Sequence, residues 1–228
     1  MLSGLTNCWR TLQARVSWSG SDTVRRRRVF NSIFEQNAWG DCESVSGPGS
    51  NRARASLFRA DLEALVRSLK VRTLLDVPCG DFNWLCEFGL GIERYVGVDI
   101  VPALIARNRI KYGCKRRRFL VRDMVSDRLP RADMIFCRDG LVHLSHAEIF
   151  ATLRNFKCSG STWLLTNTFV NRTMNQELPD WYPLNLQAPP FALPQPRHVI
   201  DERCLGYDGA YRDKRLALWR LSELRIQQ

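Results

Sequence analysis

The amino-acid sequence predicts a doubly wound α/β fold, in which a mostly parallel sheet is covered by helices on both faces. Short apolar strand patterns alternate with helical patterns along the chain, and this order is typical of βαβ units. Segments such as ADMIFCRD (132–139) are apolar at almost every position, and strands of that kind are covered on both sides. With 228 residues, 45% of them hydrophobic, the chain can form one domain with a sizeable core.

The helices are indicated by apolar periodicity and by their end signals. Apolar residues recur at helical spacing between Leu62 and Leu69. Pro102 suits the first turn of a helix that ends at Gly113. Ser145 and Glu148 have the spacing of a capping box. Helices are therefore predicted from Asn51 onward, and at 82–89, 102–113 and 145–160.

The strands are predicted where short apolar runs lie between these helices. Several of them end on an aspartate. The predicted strands are TLLDV (73–77), RYVGVDI (94–100), RRFLVRDM (117–124), ADMIFCRD (132–139), STWLLTNTF (161–169) and a last strand at 216–221.

Three segments lie outside this alternation. Residues 1–30 are polar and basic, and we interpret them as a loosely held extension of a domain that spans 31–228. Residues 39–50 include Gly47–Pro48–Gly49, which excludes regular structure, and are interpreted as a cover loop. Residues 170–210 are rich in proline and long for a simple connection, which predicts a lid or a substrate wall.

The charge balance favours anionic partners. Lysine and arginine number 34 against 23 acidic residues, a net charge of +11. Nucleic acid, an anionic lipid surface and a phosphorylated substrate all fit that excess. Much of the charge lies in two runs, Arg25–Arg28 and Lys115–Arg118, and such runs are more often solvated faces than binding sites.

The cysteines and the hydropathy pattern indicate a reduced, cytoplasmic protein. None of the eight cysteines belongs to a CxxC pair, so the spacing of a zinc ribbon is absent and no metal site is predicted. The first residues lack the apolar region of a secretory signal. No stretch approaches the roughly 18 apolar residues that span a bilayer.

Aspartates follow four predicted strands at corresponding positions. Asp76, Asp99, Asp123 and Asp139 each come at or just after the end of a strand. Burying an unpaired carboxylate costs far more than packing returns. Ligands of open α/β sheets bind beyond the carboxyl ends of the strands, so these residues predict a binding site there, although an aspartate in such a place can also be a helix cap.

The turn after the first strand selects the ligand. A dinucleotide site needs the pattern GxGxxG, so that the backbone can approach a pyrophosphate, but this turn keeps only Gly80 beside Pro78 and Phe82. S-adenosylmethionine carries no phosphate. Asp99 lies 23 residues after Asp76, close to the spacing of about 20 for an acid that binds ribose hydroxyls.

Four segments of the chain resemble motifs of a known family. The segments LLDVPCGDFNW, YVGVDIVPALI, FLVRDM and ADMIFCRDGLVHLS are similar to motifs of the class I S-adenosylmethionine-dependent methyltransferases. The resemblance covers about 55–170 and implies a Rossmann-like fold with S-adenosylmethionine as cofactor. It departs from the commoner first motif at Pro78 and Phe82. The cofactor-binding residues that it implies are Asp76, Gly80, Asp99, Asp123 (with Asp127 as an alternative) and Trp39 together with the loop 44–50.

A closer resemblance extends to most of the chain. The segments WGDCESVSGPGS, NLQAPPF and GAYRDKRLALW look like those of a bacterial methyltransferase subgroup. Members of that subgroup are similar to enzymes that methylate sugar hydroxyls. One resemblance is to rhizobial nodulation enzymes that 2-O-methylate a fucosyl residue of a lipochitooligosaccharide. It implies a glycan or another small molecule as substrate.

The stretch CRDGLVHLS contains the predicted catalytic residues. A sugar hydroxyl needs a proton acceptor, and histidine suits that role near neutral pH, so His143 is the candidate base; it could instead cap a helix or pack in the core. Asp139 could orient His143, act as the base itself or share in binding a metal. Arg138, Trp181 and Asn185 are candidate substrate contacts.

A nucleic-acid-binding protein or an RNA methyltransferase is the alternative function. The basic runs could hold RNA phosphates. Against a base methylase of the amino-directed type, RDGL stands where NPPY or DPPY would follow the fourth strand.

Overall fold

The computed structural model describes residues 22–204 and 207–226, so residues 1–21 of the predicted extension lie outside the described residues. The helices are α1 (Asp22–Gln36), α2 (Arg52–Ser56), α3 (Arg59–Ser68), α4 (Pro102–Tyr112) and α5 (His146–Cys158). The strands are β1 (Thr73–Asp76), β2 (Arg94–Asp99), β3 (Arg117–Val121), β4 (Met134–Cys137), β5 (Trp163–Phe169), β6 (His198–Asp201) and β7 (Lys214–Arg220).

The strands form one sheet in the order β3-β2-β1-β4-β5-β7-β6. Strands β1 to β5 are parallel, and β7 pairs antiparallel with both β5 and β6. The predicted doubly wound, mostly parallel fold is therefore confirmed. Because the order reverses between β1 and β4, the carboxyl ends of these two strands border a crevice of the kind in which such sheets bind ligands.

Two apolar clusters cover the two faces of the sheet. Successive strand side chains point to opposite faces. Leu74 joins the cluster that contains Ile105 of α4, whereas Leu75 joins the one that contains Leu153 of α5. The core thus lies between the sheet and a helical layer on each side, as continuous apolar strands require.

The proline-rich segment is packed into this core. Tyr182, Leu184, Leu186 and Phe191 are buried and belong to the same cluster as α5. The prediction of a lid or substrate wall over 170–210 is therefore wrong for these residues, since their large apolar side chains cover one face of the sheet. Strand β6, which the sequence did not predict, lies in the same range. Only Ile200 of its four residues is buried, so it carries little apolar pattern.

Two further boundaries differ from the prediction. Helix α1 runs across residue 30, so the extension predicted at 1–30 does not end there, and Arg26 and Ile33 of this helix are buried. The helix predicted at 82–89 is only a 3-10 turn at Leu85–Glu87. Phe82 has a φ of +56°, which is incompatible with a helical start.

None of the described helices combines the length and the apolar composition needed to cross a membrane.

Candidate active site

A cleft of about 1120 Å³, including its open mouth, lies at the carboxyl ends of β1, β2 and β4. Its floor comes from the strand ends, one wall from α1 and a cover from the loop after α1. Eight of the ten predicted site residues line it: Trp39, Asp76, Gly80, Asp99, Asp123, Arg138, Asp139 and His143.

Two buried carboxylates form part of the floor. Asp76 and Asp99 are 5% and 7% exposed. The hydroxyl of Tyr95 donates to Oδ2 of Asp76 at 2.6 Å. The pKa of Asp76 rises to about 7 and that of Asp99 to about 6, in both cases mainly because burial removes hydration from the charged form. A cationic ligand would restore the charged form of both groups.

Asp99 is held by the backbone of two turns. Its Oδ2 accepts from the amide of Gly80 at 3.2 Å, and its Oδ1 accepts from the amide of Val101 at 3.0 Å. Each oxygen keeps a second lone pair. The helix-cap interpretation and the ligand interpretation are therefore compatible at this position, because one carboxylate can fix the turn before α4 and accept from further donors.

Gly80 lies where the cover loop meets the first strand. Its φ is +52°, and a Cβ there would lie 2.3 Å from Oγ of Ser46. The same Oγ accepts from the amide of Asp81 at 2.9 Å. The carboxylate of Asp81 in turn accepts from the hydroxyl of Ser44 and the amide of Val45. Asp81 therefore ties the cover loop to the sheet, a role that sequence reasoning missed.

Asp123 is bound by an arginine from the basic run. Arg26 donates from Nε and Nη2 to Oδ2 of Asp123 at 3.0 and 2.7 Å, and from Nη1 to Glu148 at 2.7 Å. Arg26 is only 6% exposed, so the run Arg25–Arg28 is not simply a solvated face. Oδ1 of Asp123 accepts from the amide of Val125. The amide of Asp123 itself donates to Asp127, so Asp127 supports this turn and does not line the cleft.

The sequence did contain a signal for this wall. Arg26, Phe30 and Phe34 follow each other at intervals of four, so they share one side of α1. All three line the cleft. Because residues 1–30 were interpreted as a loosely held extension, Arg26 was not connected with the two aromatic residues.

A charge network lies behind Asp139. Lys214, the first residue of β7, donates to both carboxylate oxygens of Asp139 at 2.7 and 2.8 Å. The side chain of Asn167 accepts from the amide of Asp139, whose φ is +55°. Lys214 and Arg138 lower the pKa of Asp139 to about 2. Asp139 is therefore fixed in the charged form, which makes it a poor proton acceptor near neutral pH.

The guanidinium of Arg138 is also hydrogen-bonded to other groups of the protein. Its Nε and Nη2 donate to Glu202 at 3.0 and 2.6 Å, and its Nη1 donates to the carbonyl of Gly49 at 2.8 Å. Its guanidinium lies over the rings of Phe58 and Trp84. This arginine therefore joins the cover loop, the sheet edge and the core, and its predicted role as a substrate contact stays a prediction.

His143 has a defined tautomer and an aromatic setting. Its Nδ1 lies 2.8 Å from the carbonyl oxygen of Asp180. Because a carbonyl only accepts, Nδ1 carries the proton, and Nε2 is the acceptor nitrogen of the neutral ring. The ring packs against Trp39 at 5.5 Å and against Phe30 at 6.2 Å between centroids. Burial lowers the pKa of His143, which keeps the ring neutral.

Two predicted substrate residues lie elsewhere. Trp181 packs edge-on against Phe169 and Tyr211. Asn185 is 6% exposed, and its amide donates to the carbonyl of Arg172 at 2.6 Å. Neither side chain lines the cleft. Their aromatic and amide character, which suggested a sugar site, stabilises the packed proline-rich segment instead.

No protein-family model and no curated protein matches the chain. Among solved structures, the N-methyltransferase NodS from Bradyrhizobium japonicum WM9 aligns at 15% identity over 72% of this chain and 96% of that one, with a TM-score of 0.50. The methyltransferase domain of bacterial CtHen1-C aligns at 17% identity over 52% of this chain and 66% of that one, with a TM-score of 0.44. The sugar N-methyltransferase KedS8 from Streptoalloteichus sp ATCC 53650 aligns at 23% identity over 56% of this chain and 55% of that one, with a TM-score of 0.43. The chain thus spans just under two thirds of the CtHen1-C structure and about half of KedS8. The alignment with NodS, together with the strand order, shows that the chain has the fold of the class I S-adenosylmethionine-dependent methyltransferases.

Proposed function

We propose that the protein is an S-adenosylmethionine-dependent methyltransferase that methylates a sugar hydroxyl of a glycan. The observation that carries the proposal is the set of buried carboxylates on one cleft floor, Asp76, Asp99 and Asp123, beside a turn with no side chain at Gly80. Such a floor suits a ligand that carries a positive charge and several hydrogen-bond donors.

The described residues fit the cofactor. Asp99 keeps lone pairs for two vicinal hydroxyls. Asp76, whose pKa burial raises to about 7, gains a counter-ion when an ammonium group approaches. Oδ1 of Asp123 is the acceptor for an amino group, because Arg26 occupies Oδ2. When bound, S-adenosylmethionine supplies a methyl group that is already activated by the adjacent sulfonium.

The protein must then align and deprotonate the acceptor. Nε2 of the neutral His143 is the group that takes the hydroxyl proton. Asp139 is held anionic by Lys214, and its charge raises the pKa of His143, so it stabilises the imidazolium that forms. Of the roles left open for Asp139, this one agrees with its pKa of about 2.

An aromatic wall faces the acceptor side of the cleft. Phe30, Phe34 and Trp39 line the cleft, and two of these rings also contact His143. The C–H face of a pyranose packs well on such rings and leaves its hydroxyls directed at Nε2. The specific acceptor that we propose, on the sequence resemblance, is the fucosyl residue of a lipochitooligosaccharide. We also propose a cytoplasmic location, where the thiols of the described cysteines stay reduced.

The nucleic-acid alternative gains no support at the cleft. Arg25 and Arg26 are engaged with Glu148 and Asp123. The second basic run leads into the amino end of β3, whereas the cleft lies at the carboxyl ends of the strands. The run ends within β3 at Arg118, and three further strand residues, or about 10 Å, separate it from the carboxyl end of that strand.

Transfer of labelled methyl from S-adenosylmethionine into a panel of bacterial glycans, with RNA as a comparison, tests the proposal. We expect His143→Gln to lower the rate at least about a hundredfold without changing cofactor affinity. The exposed His198 provides the matched control, and His198→Gln should leave the rate unchanged. Calorimetry that detects binding of neither S-adenosylmethionine nor S-adenosylhomocysteine would remove the proposed function entirely.

A further inference from the structure

A basic surface forms where α4 ends and the chain turns toward β3. The sequence from Val101 to Arg122 holds eight lysines and arginines and no aspartate or glutamate. In the last turns of α4 and the turn that follows, most of these side chains are exposed. We name the following six residues the basic face: Arg107, Ile110, Lys111, Lys115, Arg116 and Arg117.

The cations of the basic face lack carboxylate partners. Among the described residues, no ion pair within 4.0 Å involves any of them. The charge of Arg116 helps to lower the pKa of Glu93. The ion-pair partner of Glu93 is Arg72, however, at 2.8 Å. Two arginines of the other basic run differ in this respect, since Arg25 and Arg26 pair with acids. Among the described residues, the basic face is therefore a group of five neighbouring cations that no ion pair compensates.

An exposed isoleucine lies among these charges. Ile110 is 89% exposed. It lies three residues after Arg107 and next to Lys111, on the side of α4 opposite the buried Leu104 and Ile105. Cations around an apolar side chain match the surface of an anionic bilayer, where headgroups attract the charges and the apolar group enters the boundary. A phosphate backbone would use the cations but has no contact to offer Ile110.

The position of the basic face leaves the cleft accessible. Helix α4 begins beside the cleft, which Val101 and Leu104 line, and its 11 residues carry the chain about 16 Å away from it. A flat surface that contacts the end of α4 would therefore not close the cleft.

We propose that the basic face binds the surface of anionic lipid bilayers. The inference does not depend on the proposed methyl transfer, and it requires no spanning segment. The attraction is electrostatic, so it must weaken as salt screens the charges.

Co-sedimentation of the full chain with vesicles tests this inference. The vesicles contain phosphatidylcholine alone or with about 30% phosphatidylglycerol, at about 0.1 M and about 0.5 M salt. We expect at least about tenfold more binding to the anionic vesicles at low salt, and loss of that difference at high salt. Lys111→Gln/Lys115→Gln/Arg116→Gln should weaken binding about tenfold or more, and Ile110→Ser should weaken it about threefold.

A matched control removes three exposed charges elsewhere. Arg67, Arg220 and Arg225 are exposed. Arg220 ends β7, which is five strands from β3 in the sheet, or about 24 Å away. The triple glutamine variant of these arginines should bind as the wild type does.

Three results would overturn the inference. The first is equal binding to neutral and anionic vesicles, or binding to neither. The second is an equal loss in the basic-face and control variants. The third is tight binding of oligouridine RNA that depends on the three basic-face cations but not on Ile110, without binding to vesicles, which would assign the surface to nucleic acid.

Discussion

The substitution Asp76→Asn should stabilise the protein at alkaline pH while it weakens cofactor binding. Burial raises the pKa of Asp76 from 3.8 to about 7. In the unfolded chain the pKa returns to its ordinary value, so folding takes up a proton between these two values. The contribution of Asp76 to stability is therefore complete at low pH, falls as the pH rises through this window, and is lost above about 7.

The magnitude follows from the width of the window. Between the two pKa values, the contribution of Asp76 to the free energy of unfolding falls by about 1.4 kcal/mol per pH unit. The wild type therefore loses about 2 kcal/mol between pH 5.5 and pH 8, nearly all of it below pH 7. The neutral asparagine does not titrate, and its oxygen can still accept from Tyr95. The free energy of unfolding of the variant, minus that of the wild type, should thus be about 2 kcal/mol larger at pH 8 than at pH 5.5. Asp99 is present in both proteins, so its own titration largely cancels.

Urea unfolding at the two pH values measures this difference, and calorimetry measures the affinity for S-adenosylmethionine. We expect the variant to bind at least about tenfold more weakly, because a charged hydrogen-bond acceptor is lost. Asp133 supplies the control: its pKa is lowered through bonds from Thr73 and Arg72, so it is ionised in both states at both pH values, and Asp133→Asn should shift stability equally at each. A stability difference for Asp76→Asn that is the same at pH 5.5 and pH 8 would show that Asp76 does not have a raised pKa in the folded protein.

Three further predictions concern the walls of the cleft. Arg26→Met should lower the free energy of unfolding by about 3 kcal/mol, because it leaves Asp123 buried without its partner; a loss as small as that of a surface arginine in urea unfolding would contradict the burial. Lys214→Met should raise the pKa of His143, since the charge of Lys214 lowers it. Proton NMR of the imidazole ring measures this pKa, and a lowered or unchanged value would contradict the placement of Lys214 near His143. Gly80→Ala should destabilise the protein by about 1 kcal/mol or more, because the φ of +52° disfavours any side chain, and should weaken cofactor binding in calorimetry; wild-type values for both would show that the turn tolerates a Cβ.

Part of the site was predictable because it depends on local sequence. Asp76, Asp99 and Asp123 could be placed together from strand order alone, since parallel strands bring their carboxyl ends to one edge. Gly80 was recognisable because a tight turn after a strand requires a residue without a side chain. The capping box of Ser145 and Glu148 is present as predicted, because its bonds join residues three apart.

The rest was decided by contacts between distant segments. Arg26 looked like one of four equivalent arginines until α1 packed against the turn that holds Asp123. Lys214 and Asp139 are 75 positions apart and meet only because β7 inserts antiparallel beside β5. Trp181 and Asn185 had the chemistry of a sugar site, but the burial of their segment packs Trp181 against the core and buries Asn185.

The sequence alone thus determined the fold class and the carboxylate floor, because apolar periodicity and the succession of strands and helices depend on residues that are close together along the chain. Which charges are paired and which aromatic rings face His143 could be seen only in the tertiary structure. Those outcomes depend on which of several similar side chains becomes desolvated, and desolvation is determined by packing between segments far apart in the chain.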